Sequence, residues 1–459
     1  MQEDFKSLKP EQLDALKTIL SGVVSCAPEF ADWFDGKKID EITFCEYMLR
    51  KKERKCIHGR LYDLDGEIED DTVRKEILEE IRPYQKSNVA KTVDRILNTL
   101  KLMCQCEAPP VREDRIHFRN GTYHLDGSFT EVKEWTMNRL PVRYNPDAPA
   151  PERWLSFLDD LLEKEDIPVL QEFMGYAMIP SNRGQKMLLM IGKGGEGKSR
   201  IGRVLRALLG DNMNTGSIQK LENDRFNRAD QEGKLLFMDD DMRTEALPST
   251  NNIKSIVTME DKIDLERKGK QSVQGYLYVR IICFGNGSLK SLHDQSYGFY
   301  RRQILLMTKD KPSDRKVDHY LGDKLIREAE GIALWCLEGL QRLVKNGFEF
   351  SISDRAKQNL EELMENENNI ISFLKSSGYV RREKETYASS RQLYIAYRKW
   401  CDDNLEKPRA ENTFKKYLNE NARSLGLTYD KNLPGENGKT VRGFRGIHVL
   451  INTKQYRFF

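Results

Sequence analysis

Apolar residues recur at two different spacings in the first part of the chain. Helical spacing predicts one helix over residues 13–23 and another over Val89–Leu102. The apolar positions of the first helix are Leu13, Leu16, Ile19, Leu20 and Val23. Between these segments, apolar and polar residues alternate from Gly59 to Gly66, which predicts a β-hairpin. A second hairpin is predicted over residues 115–128, with Asn120 and Gly121 at its turn.

The pattern changes from Met187 onwards, where short apolar runs alternate with helical or polar stretches. The runs are Met187–Ile191, Leu235–Met238, Val279–Phe284 and Gln303–Met307. This alternation is typical of an α/β domain with buried parallel strands. Helical patterns flank the domain at residues 152–178 and 320–346. Three prolines within residues 145–151 predict a linker before the first of these patterns.

The tail contains two amphipathic segments, 390–404 and 411–424, followed by a Gly-rich turn and a strand-like run, Gly446–Ile451. Helix, helix and hairpin in this order is typical of a winged-helix module. The chain is therefore predicted to have four parts. They are a mostly helical N-terminal domain (1–107), a region with a hairpin and helices (108–180), an α/β core (181–350) and a winged-helix-like module (366–459).

The composition indicates a globular protein with a highly charged surface, since 39% of the 459 residues are hydrophobic and 32% are charged. The net charge is only +3, so any contact with nucleic acid must come from local basic patches. No apolar run approaches the roughly 18 residues of a membrane helix. The first six residues are mostly polar and lack the apolar core of a signal peptide. We therefore expect a cytoplasmic protein with no membrane partner.

The eight cysteines are scattered along the chain, which favours reduced thiols over a disulfide framework. Cys56, His58, Cys104 and Cys106 have the ligand types of a zinc site. However, a single residue separates the members of each pair, whereas structural zinc sites usually have two to four. Buried thiols are therefore the favoured interpretation.

The strongest chemical signal is the segment Gly192–Ser199, which fits the phosphate-binding pattern G-x-x-x-x-G-K-[ST] in full. An apolar run precedes it and a helix-like run, Ile201–Leu209, follows it. Glycines allow backbone N–H groups to curl around a phosphate, and the start of the helix adds partial positive charge. The predicted nucleotide-binding residues are Gly192, Gly194, Gly195, Glu196, Gly197, Lys198 and Ser199. Lys198 is expected to reach the β- and γ-phosphates of ATP, and Ser199 to ligate Mg²⁺.

An acidic strand end supplies the expected partner of this loop. In the segment Lys234–Asp241, four apolar residues lead into three aspartates. A buried strand that ends in this way delivers carboxylates beside a magnesium ion. One of them holds the metal through water, and its neighbour polarises the attacking water. Asp239 and Asp240 are the favoured pair, and Asp241 is the alternative.

Two further polar signals accompany the later strands. Asn286 follows the strand-like run that starts near Tyr278, where its amide can hold the nucleophilic water against the γ-phosphate. Arg301 and Arg302 directly precede the last apolar run. An Arg pair in this place is a candidate arginine finger, Arg302 foremost, which stabilises transition-state charge on the ATP of a neighbouring subunit. A solvated Arg pair is the alternative.

The loop, the acidic strand end, Asn286 and the Arg pair together resemble the superfamily 3 helicases, the AAA+-related motors of viruses, phages and plasmids. More closely, the chain looks like the helicase part of phage and plasmid primase–helicases of the poxvirus-primase type. Further stretches carry the resemblance, which covers about residues 110–450: Ile116–Gly121, Leu170–Tyr176, Asp224–Leu235 and Ser390–Cys401. Three motifs depart from the family pattern, and in one of them three aspartates replace a single acidic pair. Glu196 stands where Asn is frequent, and Gly285 precedes Asn286 where Thr is usual.

This resemblance implies an AAA+-like P-loop core that binds ATP and Mg²⁺ and assembles as a homo-hexamer around single-stranded DNA. It also implies a β-hairpin that tracks the DNA in the central channel. The candidate DNA-binding residues are Arg267, Lys268 and Lys270, cations around a glycine that suit phosphate contacts. Residues 1–107 are too short for a primase domain of the expected kind, so a separate primase or replication protein is an expected partner. The implied setting is a bacterial cell that carries a phage or other mobile element.

Three functions fit these signals. The first is an ATP-dependent DNA helicase for replication of a mobile element. The second is a replication initiator or DNA-binding switch whose C-terminal module binds duplex origin DNA, with candidate contacts at Arg409, Lys415, Lys416, Arg423 and Arg442. The third is a nucleotide-gated scaffold ATPase, because a fold of this kind serves many functions.

Overall fold

The computed structural model describes residues 31–243, 247, 249–269, 271–287, 289, 297–311, 318–423, 425–435 and 439–456. The helix predicted over residues 13–23 and the candidate Lys270 lie outside these ranges. The chain divides into two compact units, Met1–Pro110 with Trp135–Met137 and Val111–Glu134 with Asn138–Phe459. None of the helices in the described ranges has the length and apolar character needed to span a bilayer.

Helices and a small antiparallel sheet form the described part of the first unit. The elements are α1 (Glu41–Lys51), β1 (Lys55–Ile57), β2 (Arg60–Asp63), β3 (Gly66–Ile68), α2 (Asp70–Ile81) and α3 (Val89–Met103). Asp63 pairs with Gly66 across a tight turn, which confirms the first predicted hairpin. Helix α3 confirms the second helical run, and its buried face contributes Val93, Ile96 and Leu100 to the core of this unit.

The backbones of Cys56, Cys104 and Cys106 lie side by side in the first unit. The Cys56 N–H donates to the Cys104 carbonyl at 2.8 Å, and the Cys106 N–H donates to the Cys56 carbonyl at 3.0 Å. Burial raises the pKa of the Cys104 thiol to about 11. Across the described ranges, no group of three or more His, Cys, Asp or Glu side chains is arranged to hold a metal ion.

A second antiparallel sheet begins the second unit, with β4 (Arg115–Phe118), β5 (Gly121–His124) and β6 (Phe129–Thr130). Phe118 pairs with Gly121, so the second predicted hairpin is confirmed, with its turn one residue earlier than expected. Residues 145–151 form neither helix nor strand, as their prolines predict. Helices α4 (Glu152–Leu161) and α5 (Ile167–Tyr176) follow them and confirm the helical pattern.

A parallel sheet is the centre of the second unit. The strands of this region are β7 (Met187–Ile191), β8 (Met213–Thr215), β9 (Leu236–Met242), β10 (Ile263–Leu265), β11 (Val273–Gly275), β12 (Arg280–Gly285) and β13 (Gln303–Met307). Within the described residues, five of them form one parallel sheet in the order β13-β7-β12-β9-β8. All four predicted apolar runs are strands of this sheet. The short edge strand β8 was not predicted, because three residues carry little periodicity.

Helices surround this sheet. They are α6 (Lys198–Leu209), α7 (Ile218–Asn223), α8 (Arg225–Ala229), α9 (Asn251–Thr258), α10 (Tyr297–Tyr300), α11 (Leu321–Ile326), α12 (Ala329–Lys345) and α13 (Asp354–Glu367). The sequence analysis assigned no helix to the residues of α13, whose composition is highly charged. Tertiary packing explains this helix, because Ala356 is buried and Leu360 and Leu363 pack against the core beside the sheet.

The tail has a hydrophobic cluster of its own. Its elements are α14 (Asn369–Lys375), β14 (Val380–Arg381), β15 (Tyr387–Ser389), α15 (Ser390–Asp403), α16 (Glu411–Asn421), β16 (Thr428–Pro434), β17 (Thr440–Arg445) and β18 (His448–Val449). Helices α15 and α16 confirm the two amphipathic segments. The strand predicted at Gly446–Ile451 is confirmed in part, as the short strand β18, which pairs with β14. The main antiparallel pair is β16–β17, and it ends before Gly446, whose φ of +88° breaks the extended chain.

Candidate functional site

Strand β7, the loop after it and helix α6 form the centre of the candidate site. All five side chains of β7 are buried, and they contribute alternately to the hydrophobic clusters on the two faces of the sheet. The loop depends on glycine, because Gly194, Gly195 and Gly197 have φ angles of +108°, +83° and +118°. A Cβ atom on Gly192 would lie 2.1 Å from Thr308 Oγ1, so a larger residue does not fit there without a rearrangement.

Helix α6 points its amino end at this loop. Gly197 occupies the N-cap position, so no capping side chain covers the first N–H groups of the helix. Met238 Sδ would lie 2.7 Å from a Cβ atom on Gly202, which shows how closely α6 packs on strand β9. Close packing keeps the amino end of α6 in register with the ends of the neighbouring strands. The resulting arrangement of backbone N–H groups and helix dipole attracts anions.

Asn286 contacts the loop directly. Strands β7 and β12 are parallel neighbours, so their carboxyl ends lie at the same edge of the sheet. The Gly192 N–H donates to the Gly285 carbonyl at 3.1 Å, which joins the two strand ends. Asn286 is exposed, and its Oδ1 atom lies 3.4 Å from Lys198 Nζ. The structure therefore brings together two of the predicted catalytic side chains.

Asp239 lies one strand further along the same edge, on β9. Only 4% of its surface is exposed. Its carboxylate accepts hydrogen bonds from the N–H groups of Ile218 at 2.8 Å and Asp241 at 3.3 Å. Burial raises the pKa of Asp239, the charges of Asp241 and Asp240 add to the increase, and the two backbone donors oppose it. Asp239 is thus a buried, oriented carboxylate in the middle of a central strand.

The other two aspartates of this run are exposed. The pairing of β9 with β12 shifts register where they lie, since Cys283 pairs with Asp239 but Gly285 pairs with Met242. An irregularity of this kind redirects side chains at the end of a strand. The structure therefore distinguishes three aspartates that look equivalent in the sequence. Asp239 is held inside, and Asp240 and Asp241 face solvent.

Glu196 and Lys198 form a buried ion pair within the loop. Lys198 Nζ donates to Glu196 Oε2 at 2.9 Å, and the side chains are 9% and 4% exposed, in that order. The Gly194 N–H donates to the other carboxylate oxygen, Glu196 Oε1, at 2.6 Å. Burial alone would raise the pKa of Glu196. The hydrogen bonds from Lys198 and from the backbone outweigh burial and leave this pKa below its ordinary value.

Arg301 and Arg302 lie at the opposite edge of the sheet. They precede β13, whose amino end pairs with the amino end of β7, and the Met187 N–H donates to the Arg302 carbonyl at 2.8 Å. A five-residue strand rises about 3.3 Å per residue, which places this pair roughly 15 Å from the loop. Arg301 is exposed, whereas Arg302 is half-buried and donates to the Gly298 carbonyl at 2.5 Å. Neither reaches the loop of its own chain.

The predicted hairpin is present as the antiparallel pair β10–β11, with Ile263 and Leu265 buried. Fewer cations of its loop are available to bind phosphates than the sequence suggested, because Arg267 forms an ion pair with Glu232. Arg225 forms a second ion pair, with Glu266, at 2.7 Å. Lys268 is exposed in the loop. Lys270 lies outside the described residues, so Lys268 is the exposed cation that the structure shows among the three candidates.

Magnesium fits the donors at the carboxyl edge. The Ser199 side chain is exposed at the start of α6, and the carboxylates of Asp239 and Asp240 stand two strands away. Neighbouring strands are about 4.8 Å apart, so β7 and β9 are separated by roughly 10 Å. A phosphate, a metal ion and its waters fill a gap of this size. Hydroxyl and carboxylate oxygens are the ligands that Mg²⁺ prefers.

The structure adds one residue that the sequence analysis did not single out. Thr308 directly follows β13, its N–H donates to the Ile191 carbonyl at 2.9 Å, and its hydroxyl closes the space beside Gly192. Its position after the last apolar run was the only signal in the sequence. Thr308 lies against the loop because β13 is the neighbour of β7 in the sheet, and this strand order cannot be read from the sequence.

Two family models match parts of the chain. Residues 17–163 match the model described as "D5 N terminal like", and residues 190–302 match a family of unknown function, DUF5906. A comparison with curated protein sequences finds no match. The first match begins well before the region of the resemblance drawn from the sequence, which started near residue 110. It supports a relationship to D5-type phage replication proteins.

Two solved structures of one protein region match most of this chain. The apo structure of the NrS-1 C-terminal region is 12% identical, with a TM-score of 0.50, and the alignment covers 89% of this chain and all of that one. The A form of the same region is 14% identical with a TM-score of 0.47, and the alignment covers 87% of this chain and 98% of that one. The first of these similarities shows that the mixed α/β fold with its parallel sheet has a solved counterpart.

Proposed function

We propose that this chain is an ATP-hydrolysing motor that acts on DNA, as a homo-hexameric helicase in the replication of a phage or other mobile element. The convergence at one edge of the parallel sheet carries the proposal. There, the glycine loop with Lys198 follows β7, Asn286 follows the neighbouring β12, and Asp239 lies buried on the next strand, β9. No single motif makes this argument, because glycine-rich turns and acidic loops are common. Their meeting at the carboxyl ends of parallel strands is typical of a nucleotide site.

Each residue of this edge has a role in the proposed reaction. Lys198 and the loop N–H groups bind the phosphates. Ser199 and Asp239 would hold a Mg²⁺ ion, which would supply positive charge against the phosphate oxygens. Asp240, exposed beside the buried Asp239, polarises the attacking water. Asn286 orients that water from the neighbouring strand. These assignments follow the general logic of phosphoryl transfer, in which position and charge supply most of the catalysis.

The position of the Arg pair supports a multi-subunit enzyme. Arg301 and Arg302 lie at the far edge of the sheet, so they can complete only the site of a neighbouring subunit. A ring in which each subunit offers its Arg edge to the loop edge of the next satisfies this geometry. The β10–β11 hairpin of each subunit would then present Lys268 to a single strand of DNA in the central channel. Such contacts bind phosphates and do not read bases.

Steady-state ATPase assays with and without single-stranded DNA test the proposal, together with mass measurement in the presence of ATP. We expect hydrolysis that DNA stimulates, a mass corresponding to a ring, and loss of activity in Asp239→Ala. The matched control is Asp211→Ala, an exposed aspartate after α6. An ATPase rate that single-stranded DNA does not change, or a measured mass of a monomer under all conditions, would contradict the helicase function.

A replication initiator is the second candidate, and the order of elements in the tail favours it. Two helices, α15 and α16, precede the antiparallel pair β16–β17, as in a winged helix. However, Lys415 and Lys416 of α16 are paired with Glu411 and Glu420, at 2.5 and 3.8 Å, which reduces the positive charge available to duplex DNA. Sequence-specific protection of a duplex by the full chain, with little unwinding, would favour the initiator.

A further inference from the structure

Glu196 satisfies two of the donors that the proposed reaction assigns to a phosphate. Its Oε1 atom accepts from the Gly194 N–H at 2.6 Å, and its Oε2 atom accepts from Lys198 Nζ at 2.9 Å. A loop N–H group and the loop lysine are the same pair of donors that hold the phosphates of a nucleotide in this type of loop. The carboxylate thus has the charge and the partners of a phosphate group.

The carboxylate is held in this position, not merely near it. Glu196 is 4% exposed, and its Cδ atom would lie 3.0 Å from a Cβ atom on Gly192, at the base of the loop. Lys198 has a further contact with Asn286 Oδ1 at 3.4 Å, so the lysine is turned inward, toward the protein. A nucleotide that needs the Lys198 ammonium must therefore compete with a neighbouring carboxylate for it.

We infer that Glu196 is an internal competitor of the nucleotide phosphates: it accepts hydrogen bonds from Lys198 and the Gly194 N–H before a nucleotide binds, and it must release both donors when ATP binds. This inference rests on the proposed function. Glu196 weakens nucleotide binding because its negative charge has to leave the donors that the phosphates take. The same carboxylate returns to Lys198 as ADP leaves, so it speeds product release, a step that limits many motors and other enzymes.

Binding of ADP and ATP to the full chain, measured by calorimetry, tests the inference in Glu196→Gln and Glu196→Asn. The Gln variant keeps the size of the side chain but loses its charge. Its amide nitrogen cannot accept a hydrogen bond, so its single oxygen cannot replace both carboxylate oxygens of Glu196. The Asn variant carries the residue frequent in the resembled family. We expect the Kd of both nucleotides to fall about tenfold in both variants, which corresponds to about 1.4 kcal/mol. Release of a fluorescent ADP analogue should slow by a similar factor in stopped-flow experiments.

Asp310→Asn is the matched control. Asp310 pairs with Lys193 of the same loop at 2.7 Å, but both side chains are exposed on its outer surface. The Asp310→Asn substitution removes one negative charge near the site but leaves Lys198 and the Gly194 N–H unchanged. Nucleotide affinity should therefore change less than about twofold. An equal gain in Asp310→Asn would show a general effect of charge and overturn the inference.

Two other outcomes have distinct meanings. Unchanged or weaker nucleotide binding in both Glu196 variants, with normal thermal melting, would show that Glu196 supports the loop and does not compete with phosphate. If neither the wild type nor any variant binds ADP or ATP, the proposed nucleotide site is itself wrong, and the inference fails with it. Nucleotide binding to the wild type therefore separates the failure of the inference from the failure of the function.

Discussion

The two edges of the parallel sheet differ in what they present. Toward the carboxyl edge, Asn286 contacts Lys198 of the loop, and Asp239 is buried on β9, where it accepts a hydrogen bond from the Ile218 N–H. At the amino edge, the chain presents the exposed Arg301 and, before β9, Glu232, which is paired with Arg267 of the hairpin loop. Under the proposed function, one edge holds most of the nucleotide site, and the other holds the cations that complete the site of a neighbouring subunit.

This difference shows why a single copy of the chain is an incomplete enzyme under the proposed function. Parallel strands place all their carboxyl ends on one side, so residues that precede a strand are kept away from residues that follow one. The Arg pair cannot reach the loop of its own chain without unfolding the sheet. Cooperation between subunits follows from the direction of the strands.

The largest effect is expected from loss of the Arg pair. The double variant Arg301→Ala/Arg302→Ala should lower the ATPase rate about 1,000-fold or more, as removal of an arginine finger does, and should still bind ATP. Mixing this variant with Lys198→Ala subunits should restore part of the activity, because some interfaces then combine an intact loop with an intact Arg pair. ATPase assays over a range of mixing ratios measure this recovery.

Single variants show which arginine acts. Arg301 is exposed, and Arg302 is tied to the Gly298 carbonyl, so Arg301→Ala should carry the loss of activity and Arg302→Ala should mainly lower thermal stability. Absence of recovery in every mixture, with mixed rings present by mass, would show that the Arg pair does not act between subunits.

The next effect concerns the carboxyl edge. Lys198→Ala should lower the ATPase rate about 100- to 1,000-fold and weaken ATP binding, because the phosphates lose their main charged donor. Lys193→Ala is the matched control, since Lys193 is an exposed lysine of the same loop whose partner is Asp310. Steady-state rates and nucleotide titrations check both variants. Normal hydrolysis in Lys198→Ala would remove the loop from the mechanism.

A smaller effect is expected at the hairpin. Lys268→Ala should weaken binding of single-stranded DNA by severalfold and reduce the dependence of affinity on salt, because fewer counterions are released from the strand. Its matched control is Lys220→Ala, an exposed lysine of α7. Fluorescence anisotropy at several salt concentrations measures both quantities. An unchanged salt slope in Lys268→Ala would exclude this loop from the DNA channel.

The smallest effect is expected from substitution of a glycine in the hairpin loop, which we compare with a glycine of the phosphate-binding loop. Gly269 has a φ of +72° and open space around it, so Gly269→Ala should cost only about 1 kcal/mol of strain and leave hydrolysis intact. Gly197 has a φ of +118°, and an added Cβ atom would contact Phe157, so Gly197→Ala should distort the loop and reduce nucleotide binding as well. Chemical denaturation and nucleotide titration distinguish the two. Equal effects on binding would contradict the separation of the two edges.

Sequence periodicity was sufficient for elements whose pattern is long or whose turn is distinctive. Helix α3 and the two hairpins, with turns just before Gly66 and just before Gly121, were found in this way. Helix α13 was missed because its charged surface hides the few apolar residues that tie it to the core. The strand predicted at Gly446–Ile451 is present only at His448–Val449, because the left-handed Gly446 follows the end of β17 and interrupts the extended chain.

By itself, the sequence determined the loop Gly192–Ser199, the apolar strands around it and the candidate acids and amide, because these depend on local spacing and residue type. Only the tertiary structure decided which of these residues meet. Strand order places Asn286 against Lys198, buries Asp239 while Asp240 stays exposed, and sends Arg301 to the far edge. The conformation of the loop itself brings Glu196 against Lys198. The contacts between residues of different strands depend on which strands are neighbours and on which side chains are buried. Neither property can be predicted from the local spacing of residue types.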